Sequence, residues 1–131
     1  MDMTPPGPLR LPAARHYLSR VTQRTLAKGM NTVIEPGVDV VGDIAAINSG
    51  QAPRLGDTFV INGRTYGVHA GTLYPVSGPG FHQLNRGAFK ALGVYNTFED
   101  TPRAVQRLNN MGIRSAEREA AIRAWRAGQR R

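Results

Sequence analysis

The chain has 131 residues, no cysteine and a net charge of +8, with 40% hydrophobic and 20% charged residues. These values fit one globular domain with a modest core, and they exclude a disulfide scaffold, a thiol nucleophile and a zinc ribbon. No apolar run approaches the roughly 20 residues that cross a bilayer, and the opening MDMTPPGPLR lacks the apolar stretch of a signal peptide, so a cytoplasmic place of action is expected.

The basic excess is uneven. Residues 1–30 carry five basic residues against one acid, and residues 101–131 carry eight arginines against two glutamates. The stretch between them holds four basic and six acidic residues. Two cationic ends favour a polyanionic partner, either a nucleic acid or an acidic protein.

Residues 1–11, with Pro5, Pro6, Gly7 and Pro8, are expected to be a disordered lead-in to a single domain spanning 12–131. Pro12 suits the first turn of a helix running to Lys28 and ended by Gly29, with Ala14, Leu18, Val21 and Thr25 at helical spacing. That helix would carry Arg20, Arg24 and Lys28 as one basic stripe for nucleic acid, with His16 at its surface. Residues 32–34 form a connection or short strand, and a second helix follows over 38–50. Asp39 and Asp43 sit at i, i+4 near its start, where carboxylates complement the helix dipole; metal binding or acid–base work is the less favoured role.

The clearest local signal is a hairpin. Thr58–Ile61 and Arg64–His69 flank Asn62-Gly63, a pair that accepts positive φ at both central positions of a type I′ turn. Ala70-Gly71 makes a second tight connection into a strand over 72–76, and Pro75, which cannot donate to a ladder, makes that strand an edge or ends it early. After the turn at residues 77–80, Gln83 or Asn85 is expected to start a helix ending at Gly93. Thr101-Pro102 opens the next helix, which stops at Gly112. The last is expected to be capped by Ser115, with Ala121, Ile122 and Trp125 facing inward. The expected class is α+β: a small antiparallel meander of three to four strands flanked by N-terminal and C-terminal helices.

No Walker loop, GxSxG elbow or HExxH pattern is present, and a metal site built from His69, His82 and Asp57 or Asp43 is the weakest option. No metal or cofactor is therefore expected. What remains is acid–base chemistry without a metal. Internal transfer in RNA needs a base for the 2′-OH proton, an acid for the leaving 5′-oxygen, and cations for the charge growing on phosphorus. Imidazole suits both proton roles because its pKa of about 6.5 is near working pH. His69 and His82 are the expected pair, with the assignment of acid and base open. Arg86 and Lys90 are expected as phosphate clamps and Tyr74 as proton donor or stacking platform. Arg64 and Tyr66 are expected to contact the nucleic acid beside them.

In order of elements and in residue types, these His, Arg, Lys and Tyr positions on a sheet behind an N-terminal helical region resemble the small metal-independent ribonuclease toxins. The resemblance implies cleavage of tRNA or mRNA by a growth-inhibiting protein, neutralised by an acidic antitoxin or immunity partner. Two other readings come from different classes. The last two helices, joined by Gly112-Ile113-Arg114, could act as a helix-turn-helix that presents Arg118 to a major groove. Alternatively, the basic helices form a protein-interaction module without enzymatic activity.

Overall fold

The computed structural model describes residues 8–129. Strand β1 (Met30–Ile34) pairs antiparallel with β6 (Phe81–Asn85) as a two-stranded ribbon. Strands β2 (Arg54–Leu55), β3 (Thr58–Ile61), β4 (Arg64–His69) and β5 (Thr72–Ser77) form an antiparallel sheet in chain order. Helix α1 (Val40–Asn48) precedes this sheet, while α2 (Arg86–Phe98), α3 (Pro102–Met111) and α4 (Ser115–Gln129) follow the ribbon. The class is α+β with an antiparallel meander flanked by helices.

The meander is set by its turns. Asn62 and Gly63 both take positive φ, 53° and 76°, and Ala70 and Gly71 repeat the pattern at 51° and 77°. The resulting backbone twist matches that of the flanking strands. Pro75 lies in β5, the outer strand of the ladder, opposite Tyr66 and next to an irregularity at Thr65/Tyr66. A residue without an N–H is tolerated there.

Two cores meet across the ribbon. Side chains alternate along a strand, so Val33 and Leu84 face α2, α3 and α4, where Phe89, Leu92, Leu108 and Ala121 are buried. Ile34 and Phe81 turn the other way, onto α1 and the meander residues Tyr66 and Leu73. Truncating Phe89 to alanine in the first core is expected to cost about 3–5 kcal/mol.

The N-terminal segment corrects the expected helix over 12–28. It forms two single 3-10 turns, Ala14–His16 and Leu18–Arg20, joined by extended Tyr17, which pairs with Ile34. Competing partners explain the break. Asn96 donates to the carbonyls of Leu18 and Val21, while the Thr25 and Thr22 hydroxyls accept from the amides of Thr22 and Arg24. Such bonds satisfy the backbone outside a helix. Arg20, Arg24 and Lys28 consequently share no helical stripe.

Residues 81–85 are strand rather than helix, and Asn85 caps α2 by accepting from the Ala88 amide at 2.9 Å. Gly93 does not end that helix. A Cβ there would lie 2.6 Å from the carbonyl oxygen of Thr22, so glycine lets the N-terminal segment cross α2 closely. Thr101 caps α3 and Gly112 closes it with φ 70°, as the sequence predicts. Ser115 is the first helical residue of α4 rather than its cap; the Glu117 side chain accepts from the Arg114 amide at 3.2 Å instead. The expected lead-in 1–11 falls largely outside the described residues, but Leu9 bonds Asn48, and Arg10 pairs with Thr72.

Candidate active site

An open cleft of about 640 Å³ lies between the N-terminal turns, β1 and the outer strand β5. Two histidines, His16 and His69, line it together with Arg15, Lys28, Tyr74 and Gln83. The fold delivers them from four places in the chain: the first 3-10 turn, the segment before β1, the β4–β5 hairpin, and β6.

His16 is held from behind. Its Nδ1 lies 2.9 Å from the carbonyl oxygen of Thr32 on β1. A carbonyl only accepts, so Nδ1 carries the proton of the neutral ring and Nε2 keeps its lone pair. Nε2 has no hydrogen-bond partner among the described residues. Burial pulls the His16 pKa below the ordinary 6.5, Arg15 and Lys28 push it the same way, and the bond to Thr32 opposes them in part. A neutral imidazole with one fixed tautomer and a free lone pair is a proton acceptor at neutral pH.

His69 ends β4 opposite Thr72 and is exposed at the cleft. Tyr74 is its neighbour on β5, with its ring lying across Gly67 on β4, where a Cβ would collide with the phenol. Tyr74 remains 39% exposed, so one ring face is available to a stacking partner. Arg15 sits over the Phe89 ring at 5.4 Å and donates to Asn31, while Lys28 is exposed at the cleft edge.

His82 does not join His69. Gln83 faces the cleft, so its neighbour His82 turns to the opposite face of β6, across from fully buried Val33. There its Nε2 lies 2.6 Å from Glu35 Oε1. Arg86 and Lys90 stand exposed on α2 and line no part of the cleft. The expected constellation of His69, His82, Arg86 and Lys90 is therefore not assembled: strand alternation turns His82 away, and Arg86 and Lys90 lie on α2 outside the cleft.

Arg64 and Tyr66 are likewise committed elsewhere. Asp43, 1% exposed, accepts from Arg64 Nε at 2.7 Å and Nη2 at 2.9 Å, from Tyr66 Oη at 2.5 Å and from Asn62 at 3.0 Å. Burial alone would raise the Asp43 carboxyl; the bonds from Arg64, Tyr66 and Asn62 outweigh it and hold it below the ordinary carboxylate value. Burial and the neighbouring carboxylate push the Tyr66 phenol well up. This cluster pins α1 to the hairpin and leaves no free face for a base or phosphate. Asp39 is engaged too, accepting from the Gly42 amide as the cap of α1.

Among the described residues, several C-terminal arginines have internal partners. Arg118 donates to the carbonyl of Ile113 at 2.8 Å, Arg107 to Gln23, and Arg126 to Asp100. Arg118 is thus tied through its Nε to its own turn.

Sequence reasoning passed over His16 and Arg15. The helical spacing of Ala14, Leu18 and Val21 placed both on an exposed helix; the hydroxyl pair Thr22/Thr25 was the signal against one. No protein-family model, curated protein or solved structure matches the chain. Fold and site together define an α+β protein with a cleft lined by two imidazoles and two cations. None of its described helices is long and apolar enough to cross a membrane.

Proposed function

We propose that the chain is a metal-independent endoribonuclease working at this cleft, with His16 and His69 as its acid–base pair. The observation that carries the reading is the tautomer of His16: its proton is committed to Thr32, its Nε2 lone pair has no partner among the described residues, and a second histidine lines the same cleft. In this mechanism His16 Nε2 takes the proton of a 2′-OH. The freed oxygen attacks the adjacent phosphorus and forms a 2′,3′-cyclic phosphate. The bond to the 5′-oxygen breaks, and protonated His69 gives that oxygen its proton. Lys28 and Arg15 offset the charge on the non-bridging oxygens, and Tyr74 stacks a base.

A nuclease of this kind acting in the cytoplasm would harm its own cell. The reading therefore includes a toxin role and an acidic antitoxin or immunity protein as partner, consistent with the net charge of +8. The test is incubation of a defined RNA with the protein in excess EDTA, with the product ends analysed. Cyclic phosphate ends that disappear in His16→Ala and His69→Ala support the reading. Intact RNA with the folded wild-type protein overturns it.

A further inference from the structure

The cleft does not stop at Gln83. A second hollow of about 400 Å³ lies between β6 and the start of α4, and Met30 and Gln83 line both. These two residues sit on the same face of the ribbon, since Met30 pairs with Asn85 and Gln83 with Thr32. Together the two hollows form one trough from Tyr74 and His69 to Arg114.

The far end is built. Arg114 is 79% exposed, yet its Nε is held 3.3 Å from Glu117 Oε1. Glu117 is only 12% exposed and occupies the space a side chain at position 87 would need, so Gly87 makes room for the carboxylate. The bond engages Nε of the guanidinium, and Arg114, which lines the second hollow, has no other side-chain partner among the described residues. Midway, Met30 is 59% exposed, an unusual exposure for a flexible apolar side chain. Gln83 donates to the Val76 carbonyl, which orients its amide and leaves its oxygen as an acceptor. Apolar contact, an amide and a terminal cation in sequence match base, base edge and phosphate along one strand.

We infer that the trough binds a single-stranded RNA extending beyond the scissile step, with Arg114 holding a phosphate outside the bond that is cut. The inference rests on the ribonuclease reading of the cleft for its catalytic half, while its binding half is separable. A duplex does not suit the groove, because stacking on Met30 and Tyr74 needs unpaired bases.

The experiment pairs binding with cleavage. Binding of a labelled single-stranded RNA hexanucleotide to catalytically disabled His16→Ala/His69→Ala protein is measured by anisotropy across a salt series, with and without Arg114→Ala. Loss of one phosphate contact should weaken binding about tenfold and reduce the slope of log affinity against log salt by about 0.7. Arg114→Lys should restore most of the slope. In the active protein, Arg114→Ala should raise KM for the hexanucleotide and leave cleavage of a dinucleotide unchanged. Equal salt slopes for folded Arg114→Ala and its parent, or equal KM effects on both substrates, would overturn the inference while the ribonuclease reading stands. Arg114-dependent binding with no cleavage of any RNA would sink the ribonuclease reading and leave the binding trough.

Discussion

His16 on the first N-terminal turn and Thr32 on β1 are joined by a 2.9 Å hydrogen bond from the ring Nδ1 to a backbone carbonyl. The bond sets the tautomer of the imidazole that faces the cleft, and it ties a short irregular segment to the ribbon at the same point. The catalytic proposal and one of the ties that hold the N-terminal segment to the ribbon therefore share this contact.

The first expectation concerns pH. His16 must be neutral to accept a proton, and its pKa lies below 6.5. The acid limb of kcat/KM on a defined RNA should accordingly lie below that of an ordinary imidazole. Removing the ring by His16→Ala should lower kcat by ~10²–10⁴, the usual contribution of a positioned acid–base group.

Cation placement gives the second. Lys28 borders the cleft, whereas Arg20 and Arg24 do not. Lys28→Ala should reduce kcat/KM about tenfold, below the ~10²–10³ lost with an enclosed donor, because Lys28 is exposed. Arg20→Ala and Arg24→Ala should leave the rate within twofold. Steady-state kinetics on one substrate separates the three.

The third concerns stability. Asp43→Ala strands Arg64 without its carboxylate partner and should cost roughly 3–5 kcal/mol in denaturant unfolding. Asp43 has a folded-state pKa below 3.8. Its contribution is therefore complete above the ordinary carboxylate range and disappears as pH falls through the lower folded value. The acid-unfolding midpoint of wild-type protein should accordingly reflect this group, and the variant should lose that part of the pH dependence.

The fourth links packing to the site. Gly93 on α2 lies against the Thr22 carbonyl, with no room for a methyl group. Gly93→Ala should push the N-terminal segment away, at a cost of about 1–3 kcal/mol for overpacking. Because that segment carries His16, kcat should fall along with the melting temperature. An unchanged rate with a lowered melting temperature would separate the segment's position from catalysis.

Much of the fold was legible because local chemistry decides it. Asn62-Gly63 dictates its turn, Pro75 demands an edge, and Thr101, Pro102 and Gly112 bracket α3 whatever surrounds them. The failures arose where distant partners win. The 12–28 segment has helical spacing, but Asn96 and the threonine hydroxyls take its backbone groups. Gly93 resembled a helix terminator, although its reason is a chain crossing 71 residues away in sequence. The site was half legible: His69, Tyr74 and Lys28 line the cleft, but His82 fell to strand parity, and Asp43 drew off Arg64 and Tyr66. No local pattern announces a buried carboxylate's choice of partners across α1 and the hairpin.

The most direct measurement is cleavage of one single-stranded RNA, in excess EDTA, by wild-type protein and by His16→Ala, His69→Ala and His82→Ala, each verified as folded. The two-histidine mechanism predicts 2′,3′-cyclic phosphate ends from wild type and His82→Ala, and at least a hundredfold less product from the other two. Full activity in His16→Ala, or activity lost only in His82→Ala, would contradict it.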